Sequence, residues 1–155
     1  MKQIIVALVV VLFFISCSSD KDSEQATIDY TEQNEKEIVA YIEKHNLTTQ
    51  KSDSGLHYVI NEMGAGEQPN VNSNVTVAYK GYFTNGNVFD QSDAKGISFG
   101  LQQVIKGWTE GITYFKEGGS GILLIPSHLG YGSRGTNGIP GGSVLVFDIN
   151  LISVN

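Results

Sequence analysis

The sequence predicts an α+β protein: a mostly antiparallel sheet with one short helix inside the domain, and a second helix ahead of it. Three observations carry this. Val75, Val77, Tyr79, Gly81 and Phe83 alternate with Thr76, Ala78, Lys80 and Tyr82, the period of two expected of a half-buried strand. Leu145, Phe147, Ile149 and Leu151 repeat that period near the C-terminus. Between them, Trp108, Ile112 and Phe115 recur at helical spacing within residues 107–117.

The first 16 residues read as a removable leader. Lys2 supplies a positive start, residues 4–15 form an unbroken apolar run, and Ser16-Cys17 follows. Twelve residues span about 18 Å as a helix, too short for a bilayer core of about 30 Å, so a secretion signal is expected rather than a membrane span. Cys17, the only cysteine, cannot staple the fold. Its place after small Ser16 resembles the lipobox of bacterial lipoproteins, although Phe14 stands at −3 where Leu is usual. Lipidation of Cys17 would anchor the chain to a membrane. Ser18 and the acidic SSDKDSE stretch resemble lipoproteins sorted to the outer membrane.

Residues 17–30 are then expected to be a lipid-anchored tether, small and polar without periodicity. Residues 31–53 form a helical extension. Its helix, TEQNEKEIVAYIEKHN, places Ile38, Tyr41, Ile42 and His45 at i, i+3, i+4 and i+7, starts at Thr31 with Asn34 nearby, and ends near Asn46. The single apolar stripe fits packing on the domain or pairing with a second copy. His45 reads as a packing or C-terminal dipole residue.

The domain occupies residues 54–155. LHYVINE is a short strand, and its His57 has no partner at metal-ligand spacing. The alternating strand of residues 75–83 runs into Asn85-Gly86, which predicts a type I′ hairpin turn with positive φ at both residues. A return strand starts at Asn87, residues 97–101 form another, and Gly118-Gly119 ends the helical stretch. Residues 120–126 and 143–154 are strands flanking a glycine-rich loop.

Charge excludes one class of partner. The net charge of −6, or −7 once Lys2 leaves with the leader, is concentrated in residues 18–74, which hold 11 acidic and 4 basic residues; residues 75–155 hold 5 of each. No basic footprint for nucleic acid exists.

GYGSRG at residues 130–135 matches the dinucleotide pattern G-x-G-x-x-G and follows the apolar run GILLIP. A dinucleotide site needs that turn to open a helix. TNGIPGGS follows instead, and its three glycines and proline forbid one. The match is accidental, and no cofactor is expected. The loop presents Tyr131, Ile139 and Pro140 over whatever lies below. Upstream, Tyr79, Phe89, Val104, Ile105 and Trp108 could each be core, but so many large apolar groups beside a long loop also fit a concave pocket.

VAYKGYFTNGNVFDQS, FGLQQVIKGWTEGI and IPSHLGYGSRGTNGIPGGSVLVFDINLI together resemble the FKBP-type peptidyl-prolyl cis/trans isomerases, over about residues 54–155. The helix before them looks like the extension of bacterial lipoprotein members. The resemblance implies a bent antiparallel sheet, a half-barrel, wrapped around one short helix. It also implies a pocket with Trp108 as floor, Tyr79, Phe89, Ile97, Val104, Ile105, Ile139 and Phe147 as walls, and Asp90 at the rim. Tyr131 would offer its hydroxyl and Ile105 its backbone N–H. The implied substrates are Xaa-Pro segments of polypeptides. Several positions depart from the family pattern: Ile97 for an aromatic wall residue, Lys95 for an Arg that pairs with the rim Asp, and Gly141 for the second Pro of I-P-P. These departures, with Asn137 and Gly138 thinning the loop tip, imply weak binding of macrolide inhibitors. A binding or chaperone-like module with little turnover is the rival reading of the same residues.

Overall fold

The computed structural model describes residues 28–155; the leader, Cys17 and most of the tether lie outside them. The chain opens with helix α1 (Thr31–His45), which ends as expected with Asn46 in the left-handed region at φ 52°. It starts at Thr31 as expected, but neither Thr31 nor Asn34 caps it. Asp29 Oδ1 accepts from the Thr31 N–H at 2.9 Å, while Asn34 is fully buried and reaches across to another part of the chain.

Seven strands follow, β1 (Gln50–Lys51), β2 (His57–Glu62), β3 (Asn74–Phe83), β4 (Val88–Gln91), β5 (Ile97–Gly100), β6 (Ser120–Ile125) and β7 (Leu145–Val154), with helix α2 (Lys106–Gly111) between β5 and β6. All pairings are antiparallel, in the order β1-β2-β6-β7-β3-β4, and β5 also pairs with β3. The sheet therefore crosses residue 53, since Gln50 and Lys51 pair with Tyr58 and His57.

The period of two becomes two cores. Leu123, Ile125, Leu145, Phe147, Ile149 and Leu151 pack on one face with Trp108, Ile112 and Phe115. On the other, Leu124, Val144 and Val146 meet Ile38 and Tyr41 of α1. The helix stripe is thus buried within its own chain and covers the start of β7, while Asp148, Asn150 and Ile152 further along that face are exposed. His45 is exposed and stacks on Tyr41 at 4.1 Å.

Polar contacts fix the same helix. Glu35 takes Lys51 Nζ at 2.7 Å and His57 Nε2 at 3.3 Å. The hydrogen bond from Lys51, opposed by partial burial, holds the Glu35 carboxyl below its ordinary range.

Helix α2 lies close against β6 because two glycines face it. A Cβ at Gly107 would come within 2.5 Å of Ile125 Cγ2, and one at Gly111 within 2.8 Å of the Leu123 methyls. The β3–β4 hairpin departs from the type I′ expectation. Only Gly86 has positive φ, and the Gly86 N–H donates to Phe83 O at 2.8 Å while Phe83 and Asn87 close the ladder. The connection is therefore the three residues Thr84, Asn85 and Gly86, the next commonest hairpin solution.

Candidate active site

The approach of α2 to the sheet sets the site. Trp108 projects from α2 into the gap between sheet and helix and is only 5% exposed. Its ring meets Tyr79 at 4.9 Å and Phe147 at 5.1 Å, both nearly perpendicular, and Phe99 at 5.3 Å. Phe89 stands edge-on to Phe147 at 5.5 Å. Edge-to-face contacts of this kind are favourable and hold rings in fixed orientations.

These rings line a cavity of about 610 Å³. All ten positions that the family resemblance assigns to the pocket reach it: Tyr79, Phe89, Asp90, Ile97, Val104, Ile105, Trp108, Tyr131, Ile139 and Phe147. The strands explain how. Tyr79 comes from β3, Phe89 and Asp90 from β4, Ile97 from β5 and Phe147 from β7. Ile139 is buried beside the tip of the glycine loop, whereas Tyr131 is 40% exposed and Ile97 47% exposed at the rim.

Two polar features edge this apolar space, and a third polar atom is buried in the ring that floors it. The Tyr79 hydroxyl donates to Asp90 Oδ2 at 2.6 Å. Burial, reinforced by that carboxylate, pushes the Tyr79 phenol above its ordinary value, so it stays protonated and remains a donor. Ile105 precedes the first turn of α2, and its N–H has no protein acceptor among the described residues. The Trp108 indole nitrogen is buried without a partner.

Phe99 was not anticipated as a wall. It lies two residues beyond Ile97 on β5, so period-two spacing alone could have placed it beside that residue. Gln103, Thr136, Asn137 and Gly138 complete the lining. Pro140 departs from expectation: it is exposed and borders a separate depression with Tyr30 and Gln33, away from the rings. Lys95 makes no ion pair with Asp90 among the described residues; its backbone N–H bonds Asp93 instead. His128 stands outside the cavity, donating from Nε2 to Ser54 O at 2.8 Å. No helix follows Gly135; Thr136 and Ile139 instead bridge to each other.

A sheet folded against one short helix, with a ring-lined cavity between them and few polar groups at its edge, defines a small domain with a binding site for an apolar group. The chain belongs to the FKBP-type peptidyl-prolyl cis-trans isomerase family, whose model matches residues 65–152. It is 47% identical over 105 residues to the isomerase FkpA of Escherichia coli K12, an alignment covering 66% of this chain and 39% of that protein. FkpA of Buchnera aphidicola from Schizaphis graminum is 47% identical over 107 residues, covering 67% and 42%. The chain thus spans about two fifths of the length of these relatives. The crystal structure of Escherichia coli FkpA superposes with a TM-score of 0.72 at 41% identity, covering 81% of this chain and 61% of that one. A peptidyl-prolyl cis-trans isomerase of Pseudomonas syringae superposes with a TM-score of 0.70 at 31% identity, covering 83% and 98%. The bent-sheet architecture expected from the sequence is the fold of these neighbours.

Proposed function

We propose that the domain catalyses cis/trans isomerisation of Xaa-Pro bonds in polypeptides. The observation that carries this is the ring-walled cavity floored by Trp108, with the Tyr79–Asp90 pair and the free Ile105 N–H at its edge. An amide resists rotation by about 18–20 kcal/mol because resonance keeps it planar and polar. Burying a proline against Trp108 takes the amide out of water, which favours the twisted, less polar transition state. The Ile105 N–H and the Tyr131 hydroxyl can hold the carbonyls on either side of the twist. An acceleration of ~10⁴ requires only about 5.5 kcal/mol, within reach of one good hydrogen bond plus burial of a proline and its neighbour. No bond is made or broken, so no nucleophile or proton shuttle is needed.

The natural setting of this activity is the cell envelope. Lys2, the apolar run of residues 4–15 and Cys17 support export and lipid anchoring, and the stretch after Cys17 supports the outer membrane. The clients are then proteins folding outside the cytoplasm.

A protease-coupled assay on an Xaa-Pro peptide, run on wild type beside Asp90→Val and Tyr131→Phe, tests the activity. Both variants are expected to lose about 3- to 30-fold in kcat/KM, the effect of one or two removed polar contacts. Equal, near-background rates for all three proteins would leave only the binding module. Macrolide inhibitors are expected to bind weakly, because exposed aliphatic Ile97 and the slim Asn137-Gly138 tip give them little to close on. Tight, stoichiometric titration of the activity would contradict that.

A further inference from the structure

Asn34 is a polar residue on the buried stripe of α1, one turn before Ile38, and is completely inaccessible to solvent. A polar side chain is costly there unless both ends of its amide are satisfied. Both are. Its Nδ2 donates to Gly142 O at 2.7 Å, and its Oδ1 accepts from the Ser127 N–H at 2.8 Å. The partners fix the amide orientation, since a carbonyl can only accept and an N–H can only donate.

Those partners are the two ends of the glycine loop. Ser127 begins the single helical turn that leads into it, and Gly142 closes it before β7. Within the loop, Gly132 N–H donates to Ser127 O at 2.7 Å and Gly142 N–H to Gly132 O at 2.9 Å, so Ser127, Gly132 and Gly142 form one frame. Tyr131 sits on that frame. Among the described residues, apart from bonds to the flanking Pro126 and Ser143, the other hydrogen bond tying residues 127–142 to the rest of the protein is the exposed one from His128 to Ser54. The helix adds a second contact at the same place. The Tyr30 ring lies so close over Gly142 that a Cβ there would come within 2.4 Å of it. Across the depression that Gly142 borders, the Thr84 hydroxyl, in the hairpin before Phe89 and Asp90, donates to Glu37 of α1.

We infer that Asn34 is a positioning residue for the active-site loop: its amide clasps both loop ends and thereby sets the height of Tyr131 over the cavity. Asn34 lies ahead of the residues that match the family model, so the N-terminal helix supplies a working part of the site. The inference rests on the isomerase reading for its kinetic consequence but not for its structural one.

The test uses the full chain in two arms. In the kinetic arm, Asn34→Ala is expected to lower kcat/KM about 10-fold, since small misplacements of a site group are costly. Tyr131→Phe should then cost less than about 2-fold in the Asn34→Ala background, because the hydroxyl is no longer held in place. Ile38→Val thins the same helix–sheet contact without touching the loop, and its kcat/KM should match wild type. In the exchange arm, the Gly132 and Gly142 amides should exchange about 10-fold faster or more in Asn34→Ala, while β3 and β7 stay protected. Should Asn34→Ala fail to fold, wild type alone decides: Gly132 and Gly142 should open with the α1 amides, within about 10-fold in protection. Loop amides that exchange far faster than α1 in wild type would overturn the inference. So would unchanged loop exchange in Asn34→Ala, or a Tyr131→Phe effect that is undiminished there. Absence of turnover in wild type would remove the isomerase reading while leaving the exchange arm decisive for the clasp.

Discussion

Trp108→Ala is expected to lower kcat/KM on a short Xaa-Pro peptide by about 100-fold or more, equivalent to about 2.7 kcal/mol or more of lost transition-state stabilisation. The indole is the surface on which a proline would lie, and its removal opens the cavity floor to water. The loss should exceed that at Asp90 or Tyr131, because it removes the desolvation itself rather than one contact at the rim. Stability should fall too, by about 3–5 kcal/mol, because a buried ring in contact with Tyr79, Phe99 and Phe147 leaves a void. Trp108→Phe separates the two effects. It keeps an aromatic floor and should retain most of the stability with part of the turnover. Steady-state assays beside urea denaturation of each variant provide the check. An Ala variant that is folded and fully active would show that the floor does not matter.

Gly121→Ala is expected to cost about 3 kcal/mol or more of stability, at the upper end of what overpacking costs. Gly121 is the second residue of β6, paired with Ile60 of β2 and Ile149 of β7. A Cβ there would come within 2.0 Å of Val59 O and 2.7 Å of the Phe115 ring. Both neighbours are fixed, one by the strand ladder and the other by full burial in the core. The methyl can be accommodated only by parting β2 from β6 or displacing Phe115. Gly86→Ala provides the contrast. Gly86 has positive φ but no atom within reach of a Cβ, so its cost should be only the conformational one, about 1–2 kcal/mol. Urea midpoints at constant m value measure both. Equal losses at the two sites would contradict the packing explanation.

How much of this was legible depended on the range of the interactions involved. The alternation of residues 75–83 and 145–151 gave strands and their inward faces directly, because the pleat imposes its period locally. The family resemblance carried by the stretches around Tyr79, Trp108 and Tyr131 brings ten lining positions together. What could not be read was set by partners distant in sequence. Asn34 reads from the sequence as support for a helix start at Thr31, because Asn favours helix starts, yet its partners lie 93 and 108 residues away. The pairing of Gln50 and Lys51 with β2 is too short to leave a periodic trace. Asn85-Gly86 marked the right turn with the wrong geometry, since the same dipeptide also serves a three-residue connection. Pro140 was placed over the cavity with Ile139, but neighbours in an extended loop point opposite ways, and only Ile139 is buried.

The central claim is that this cavity turns over an Xaa-Pro bond on the face of Trp108. Exchange spectroscopy by NMR tests it in one sample, with a short Xaa-Pro peptide in excess over the wild-type protein. Catalysis predicts exchange cross-peaks between the cis and trans forms at mixing times of a second or less, against tens of seconds for the free peptide. It also predicts that the Trp108 indole N–H resonance, buried and unpartnered without peptide, moves as peptide is added. Cis and trans signals that remain unconnected, with the indole resonance unmoved at saturating peptide, would contradict it.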